Sequence, residues 1–212
     1  NATAKRFENV AGFLSSSVKY LLRYVALYSL IHLAQSLNIF GIRGDLIAEN
    51  FYVWVGYFIL ALWLAERLQM AWHVFEADNL NDRNIEKFAV LGALILVAQE
   101  YGSEVSRLQL IEQQSYEVFT SAITVLAGIM LWRISASMKL VVSGDTSSGS
   151  LRLKLLGFLR RIIVGVAIIS PLIAAIGYVN AGSAIAVPMV KTLGFLALIV
   201  ILQRLTFDIY AA

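Results

Sequence analysis

Residues 162–190 read IIVGVAIISPLIAAIGYVNAGSAIAVPMV, a run with no charged side chain. A helix rises ~1.5 Å per residue and the hydrocarbon layer of a bilayer is ~30 Å thick, so about 20 apolar residues make one crossing. The run is too long for a single crossing and suits two that double back. Gly177-Tyr178-Val179-Asn180-Ala181-Gly182-Ser183, at its middle, carries turn chemistry. We therefore expect a helical hairpin with spans over residues 155–178 and 185–207.

Working toward the N-terminus, the same pattern repeats. The linker SGDTSSGS at 143–150 precedes the hairpin and is short and flexible, which fits an exposed loop. Before it, residues 118–132 are apolar and lead to a span over 116–138. Residues 88–99 form the shortest run, with Glu100, Glu104 and Arg107 following on one helical face. This predicts one long helix over 86–108 whose far end projects from the membrane; a re-entrant segment is the competing reading. Residues 76–84 read as a loop. The run after Phe51 gives a span over 51–73. Residues 24–42 are uncharged and give the first span, 22–42, ended by the polar turn Gly41-Ile42-Arg43-Gly44-Asp45. The expected fold is all-α: a polytopic integral membrane protein of about six transmembrane helices arranged as hairpins, in one transmembrane domain over residues 1–212.

Composition agrees. Of the 212 residues, 59% are hydrophobic and 15% charged, where soluble domains carry roughly 25% charged. So apolar a chain must turn most of its surface to lipid. With no cysteine, disulfides, thiolate metal sites and a cysteine nucleophile are excluded. The start at Asn1 and the abrupt stop after Ile209-Tyr210 suggest a piece of a longer polypeptide. The net charge of +3 does not argue for nucleic acid, because the basic residues cluster at the ends of apolar runs. Sorted by side under the six-span scheme, all but three of the 17 lysines and arginines share one face; only Arg43, Arg107 and Lys191 fall on the other. The positive-inside rule makes the rich face cytoplasmic and puts both ends there. A re-entrant third run would scatter the basic residues, so the six-span scheme is preferred.

Several residues are candidates for more than scaffolding. His32 and Gln35 lie one turn apart in the first span, where polar groups are functional candidates, yet interhelical hydrogen bonding explains both. His73 with Glu76 and Asp78 could offer metal ligands, but a solvated helix end without a second histidine is the simpler reading. Glu66 and Arg67 fit snorkelling or contact with a neighbouring helix. Arg152, Lys154, Arg160 and Arg161 could hold anionic lipid headgroups, and positive-inside bias alone would also place them there. Ser170 and Pro171 interrupt the fifth span, where proline removes a hydrogen bond and bends a helix. Gly157, Gly165 and Gly177 mark bending or close-packing points along it. Trp54, Trp63, Trp72 and Trp132 are expected to include interface anchors. No phosphate-binding glycine loop, HExxH, serine elbow or intramembrane carboxylate pair is present. We expect no enzyme, no catalytic residue, no metal and no cofactor.

The segments LGFLRR at 156–161, SPLIAAIGYVNA at 170–181 and ILQRLTFDIY at 201–210 resemble the multi-span region that precedes the pore in many bacterial small-conductance mechanosensitive (MscS-like) channels. The first two spans, through Ala65-Glu66-Arg67-Leu68, resemble it more loosely. The resemblance implies a periplasmic segment and one span upstream. Downstream it implies further spans, a Gly/Ala-rich pore helix, a β-domain and a cytoplasmic vestibule. It also implies the bacterial inner membrane, membrane lipids as partners and a homo-oligomer built with the rest of a channel subunit. The role implied is tension sensing around a pore, not conduction. An accessory scaffold subunit would need no site at all. A secondary transporter would need charged residues at mid-membrane and broken helices in both halves.

Overall fold

The computed structural model describes residues 2–37, 39–72, 82–144 and 151–210. Those residues form six α-helices and no strand: α1 (Ala2–Ser36), α2 (Gly41–Trp72), α3 (Asp82–Arg107), α4 (Gln113–Gly144), α5 (Leu151–Ala175) and α6 (Val179–Tyr210). Five stretches are long and apolar enough to cross a membrane: Ile47–Gln69, Ile85–Arg107, Gln113–Met138, Lys154–Ala175 and Val179–Phe207. The chain is thus an all-helical protein of membrane-spanning type. The first expected span is not among the five. α1 is 35 residues long, ample for a crossing, but His32 and Gln35 dilute its apolar run. The polar residues ahead of that run continue the same helix.

Two reversals differ from the sequence reading, and backbone hydrogen bonds explain each. The first reversal comes before Gly41, not after it. Leu37 N donates to Leu33 O at 3.1 Å and Ile39 N to Ala34 O at 3.2 Å, closing α1. Gly41 then takes a left-handed φ of 64° at the mouth of α2, so residues 41–45 open a helix instead of forming a turn. The reversal between α5 and α6 is also shorter than expected. Tyr178 N reaches Ile173 O and Gly177 N reaches Ala174 O, both at 3.1 Å. This is a Schellman closure with glycine at its left-handed position, φ 106°. Tyr178 O already accepts from Gly182 N at 3.0 Å, so Asn180 and Ser183 sit in the first turns of α6, which starts at Val179 and not at 185. As expected, α3 is one uninterrupted helix that runs through Glu100 and Glu104 to Arg107, and its candidate span reaches Arg107.

The same closure ends α3 without a glycine. Leu110 N donates to Val105 O at 3.1 Å and Gln109 N to Ser106 O at 3.0 Å. Gln109 holds φ 52°, a left-handed conformation that costs a residue with a Cβ roughly 1–2 kcal/mol.

By packing, the chain divides into two compact units: residues 1–75 with 194–212, and residues 76–193. In the first, α1 packs on α2. In the second, α3 packs on α4 and α4 on α5. The second unit owns the main core, where Ile95 of α3, Ile123, Ala127, Met130 and Leu131 of α4, Ile163 and Ala167 of α5, and Ala186 and Val190 of α6 meet.

Candidate functional site

Within the second unit, three helices converge on the proline turn of α5. Ser170 is fully buried, and its hydroxyl donates back to Val166 O at 2.8 Å. Pro171 has no N–H, so the carbonyl of Ala167, four residues earlier, loses its helical donor. Gly128 of α4 occupies that gap. A Cβ built on Gly128 would stand 2.6 Å from Pro171 Cγ and 2.9 Å from Ala167 O. Any side chain at position 128 would therefore collide with the proline ring and the freed carbonyl, and glycine lets α4 lie against both. Gly182 of α6 approaches the next turn, where a Cβ would lie 2.6 Å from Ser170 O and 3.1 Å from Ala174 Cβ. The proline turn of α5 is gripped by a glycine from α4 and one from α6.

The glycines singled out in the sequence play other parts. A Cβ added at Gly157 or Gly165 would meet nothing within 4 Å, so neither is a close-packing point. Gly177 closes α5 and does not bend it. Nothing local in the sequence marked Gly128, and Gly182 reads there as a turn residue; their packing role appears only once α4, α5 and α6 are side by side.

An ion pair joins α3 to α6 in the same unit. Lys191 Nζ donates to Glu100 Oε1 at 3.1 Å, with the two side chains 38% and 37% exposed, so the pair sits at the edge of the core and not sealed inside it. Glu104 and Arg107 pair locally at 2.8 Å, one turn apart. The sequence reading set Lys191 on the face away from the cytoplasm and let Glu100 project from the membrane. Both lie inside candidate spans, as they do inside the expected spans 86–108 and 185–207, with Lys191 twelve residues beyond the start of α6. Charge sorting assigns each lysine a side and cannot see a partner 91 positions away.

In the first unit, Arg67 is only 7% exposed. Its guanidinium donates to Gly12 O of α1 at 2.6 Å and lies 5.4 Å from the centre of the Phe13 ring. Contact with the neighbouring helix, not snorkelling, is therefore what it does. Phe13 meets Trp63 edge-on at 5.7 Å. Nearby, partial burial and the Glu66 carboxylate that accepts its hydrogen bond push the Tyr20 phenol upward from its ordinary pKa. His32 is exposed and stacks edge-on against Tyr28 at 5.8 Å, and Tyr28 against Tyr52 of α2 at 6.1 Å. Gln35 is half-buried. Trp54 is buried against Phe51 and is no interface anchor, whereas Trp132 is 53% exposed.

The basic group lies along the first half of α5. Lys154 and Arg161 are exposed on α5, and Arg160 is half-buried with its Nε enclosed and lacking a hydrogen-bond partner. The side chain of Arg152 lies outside the described residues, as do His73, Glu76 and Asp78. Among the described residues no three His, Cys, Asp or Glu side chains gather as a metal site would require. Compared with known proteins, the chain matches no family profile, no curated sequence and no solved structure.

Proposed function

We propose that the chain is the lipid-facing, tension-sensing transmembrane region of an MscS-like channel subunit in a bacterial inner membrane, with both ends cytoplasmic. One observation carries most weight beside the sequence resemblance. The most apolar span is the least covered: 17% of the α6 span is buried, against 22% in each of the α2 and α5 spans. Leu155, Phe158, Ile169, Leu172, Ile176, Phe195 and Ile199 all point outward. Helices that spend so much apolar surface on their exterior are built to contact lipid, not to enclose a polar path. The orientation rests on the six-span charge sorting, which counts α1 as the first crossing.

The mechanism is mechanical. Bilayer tension favours whichever state occupies more membrane area, and a ligand-free equilibrium shifts with that difference as it would with differential binding. The gripped proline turn makes α4, α5 and the start of α6 a stiff unit, so area changes by movement of packed helices and not by bending of α5. Homo-oligomerisation around a pore supplied by the rest of the subunit completes the reading.

The Glu100–Lys191 pair is the observation that favours the transporter reading. That reading stands second, because α5 and α6 run unbroken through Pro171 and Pro188, where transporters unwind their helices. The discriminating experiment is mass spectrometry of the polypeptide purified from its own membrane. A subunit several times heavier than 23.4 kDa agrees with the channel reading. A polypeptide of this mass alone, copurifying with a fixed partner, would replace it with a scaffold subunit.

A further inference from the structure

α3 is the least apolar of the five candidate spans. Its uncharged stretch, residues 88–99, covers only ~18 Å of a ~30 Å layer. To complete the crossing, Glu100 and Glu104 must enter with it. Glu104 brings its own counter-charge, Arg107, on the same helix. Glu100 does not: its cation is Lys191 of α6, at 3.1 Å.

Lys191 is equally out of place by itself. It stands about 18 Å along α6 from the turn at Gly177 and Tyr178, in a run with no other charge from Val179 to Gln203. A lone charge at such a depth is strongly disfavoured, and intramembrane charges are tolerated chiefly as pairs. Ile95 of α3, Met130 of α4 and Val190, next to Lys191 on α6, share the buried core, so the approach is held by packing as well as by charge. Chain order adds the decisive point. α3 is made and must be placed before α6 exists to supply the ammonium group.

We infer that the Glu100–Lys191 pair is a late-arriving lock: α3 lies stably across the membrane only after α6 has delivered Lys191 beside Glu100. Before that, α3 exchanges between a crossing and a non-crossing placement, and the α3–α4 connection at residues 108–112 exchanges sides with it. The inference does not depend on tension sensing and survives its failure.

The chain has no cysteine, so single-cysteine reporters label cleanly. Glu86→Cys and Leu110→Cys bracket α3, and in the otherwise unchanged full chain in cells they should label from opposite faces. Lys191→Glu should cut opposite-face labelling of Leu110→Cys more than about tenfold. The neutral double variant Glu100→Gln/Lys191→Met should restore it to the parent level. If Lys191→Glu is degraded before labelling, Lys191→Met serves in its place, with reduced opposite-face labelling expected. Same-face labelling in the parent, unchanged labelling in the single variant, or no recovery in the neutral double would each overturn the lock.

Discussion

Gly128→Ala tests the grip on the proline turn of α5 with one added methyl. That methyl would sit 2.6 Å from Pro171 Cγ, 3.3 Å from Pro171 Cδ and 2.9 Å from the Ala167 carbonyl. Carbon atoms rest at about 3.5–4.0 Å, so α4 and α5 must part by about 1 Å, which forfeits a quarter to a half of each dispersion contact along the seam. That seam includes Ala127 and Leu131 facing Ile163 and Ala167, all nearly or fully buried. Backbone and a proline ring cannot swing aside as a flexible side chain could. Overpacking of a tight core costs roughly 1–3 kcal/mol, and we expect about 2 kcal/mol here. Reversible unfolding in mixed micelles, followed by circular dichroism over a denaturing-detergent titration, reads the difference. Gly165→Ala is the matched control: its added methyl meets nothing within 4 Å, and replacing a mid-helix glycine should gain about 0.5 kcal/mol. Pro171→Ala removes the ring and returns an N–H to Ala167 O, so the double variant Gly128→Ala/Pro171→Ala should recover about 1 kcal/mol relative to additivity. Equal effects at Gly128 and Gly165, or strict additivity with Pro171, would refute the clamp.

Other expectations follow from the same geometry. Gln109→Gly should raise stability by about 1 kcal/mol in the same titration, because it relieves a left-handed residue at the end of α3; Gly177→Ala should lower it by a similar ~1 kcal/mol. Arg67→Met should destabilise the α1–α2 pair by about 1.5–3 kcal/mol through the lost charged hydrogen bond to Gly12 O, seen as earlier proteolysis of α1. Tyr20 titrates higher folded than unfolded, so its contribution is complete below the unfolded value near pH 10 and fades as pH rises through the folded one. Tyr20→Phe should accordingly remove part of the alkaline loss of stability, measured by melts from about pH 8 to 11.

The helical, membrane-spanning character was legible because apolar run length is a direct physical requirement of a ~30 Å layer. The α5–α6 hairpin came from that rule alone. Boundaries were less legible, since Asn180 and Ser183 look like turn residues yet Gly177 by itself supplies the reversal, leaving them free to begin α6. Gln109 at a left-handed position carries no compositional signal at all. The pair contacts were hidden for a different reason. Lys191 and Glu100, like Gly128 and Pro171, or Arg67 and Gly12, are partners only in three dimensions, and one-dimensional rules assigned each a local role. His32, read from the sequence as a polar group, also has a ring neighbour in Tyr28, which in turn meets Tyr52.

If these helices transmit bilayer tension to a pore carried by the same subunit, removing them must change how the pore responds to pressure. Patch-clamp recording of the full-length subunit, with and without residues 1–212, reads that response. Channels lacking this region should still conduct but open at a shifted pressure threshold. An identical threshold in both proteins would contradict the tension-sensing role.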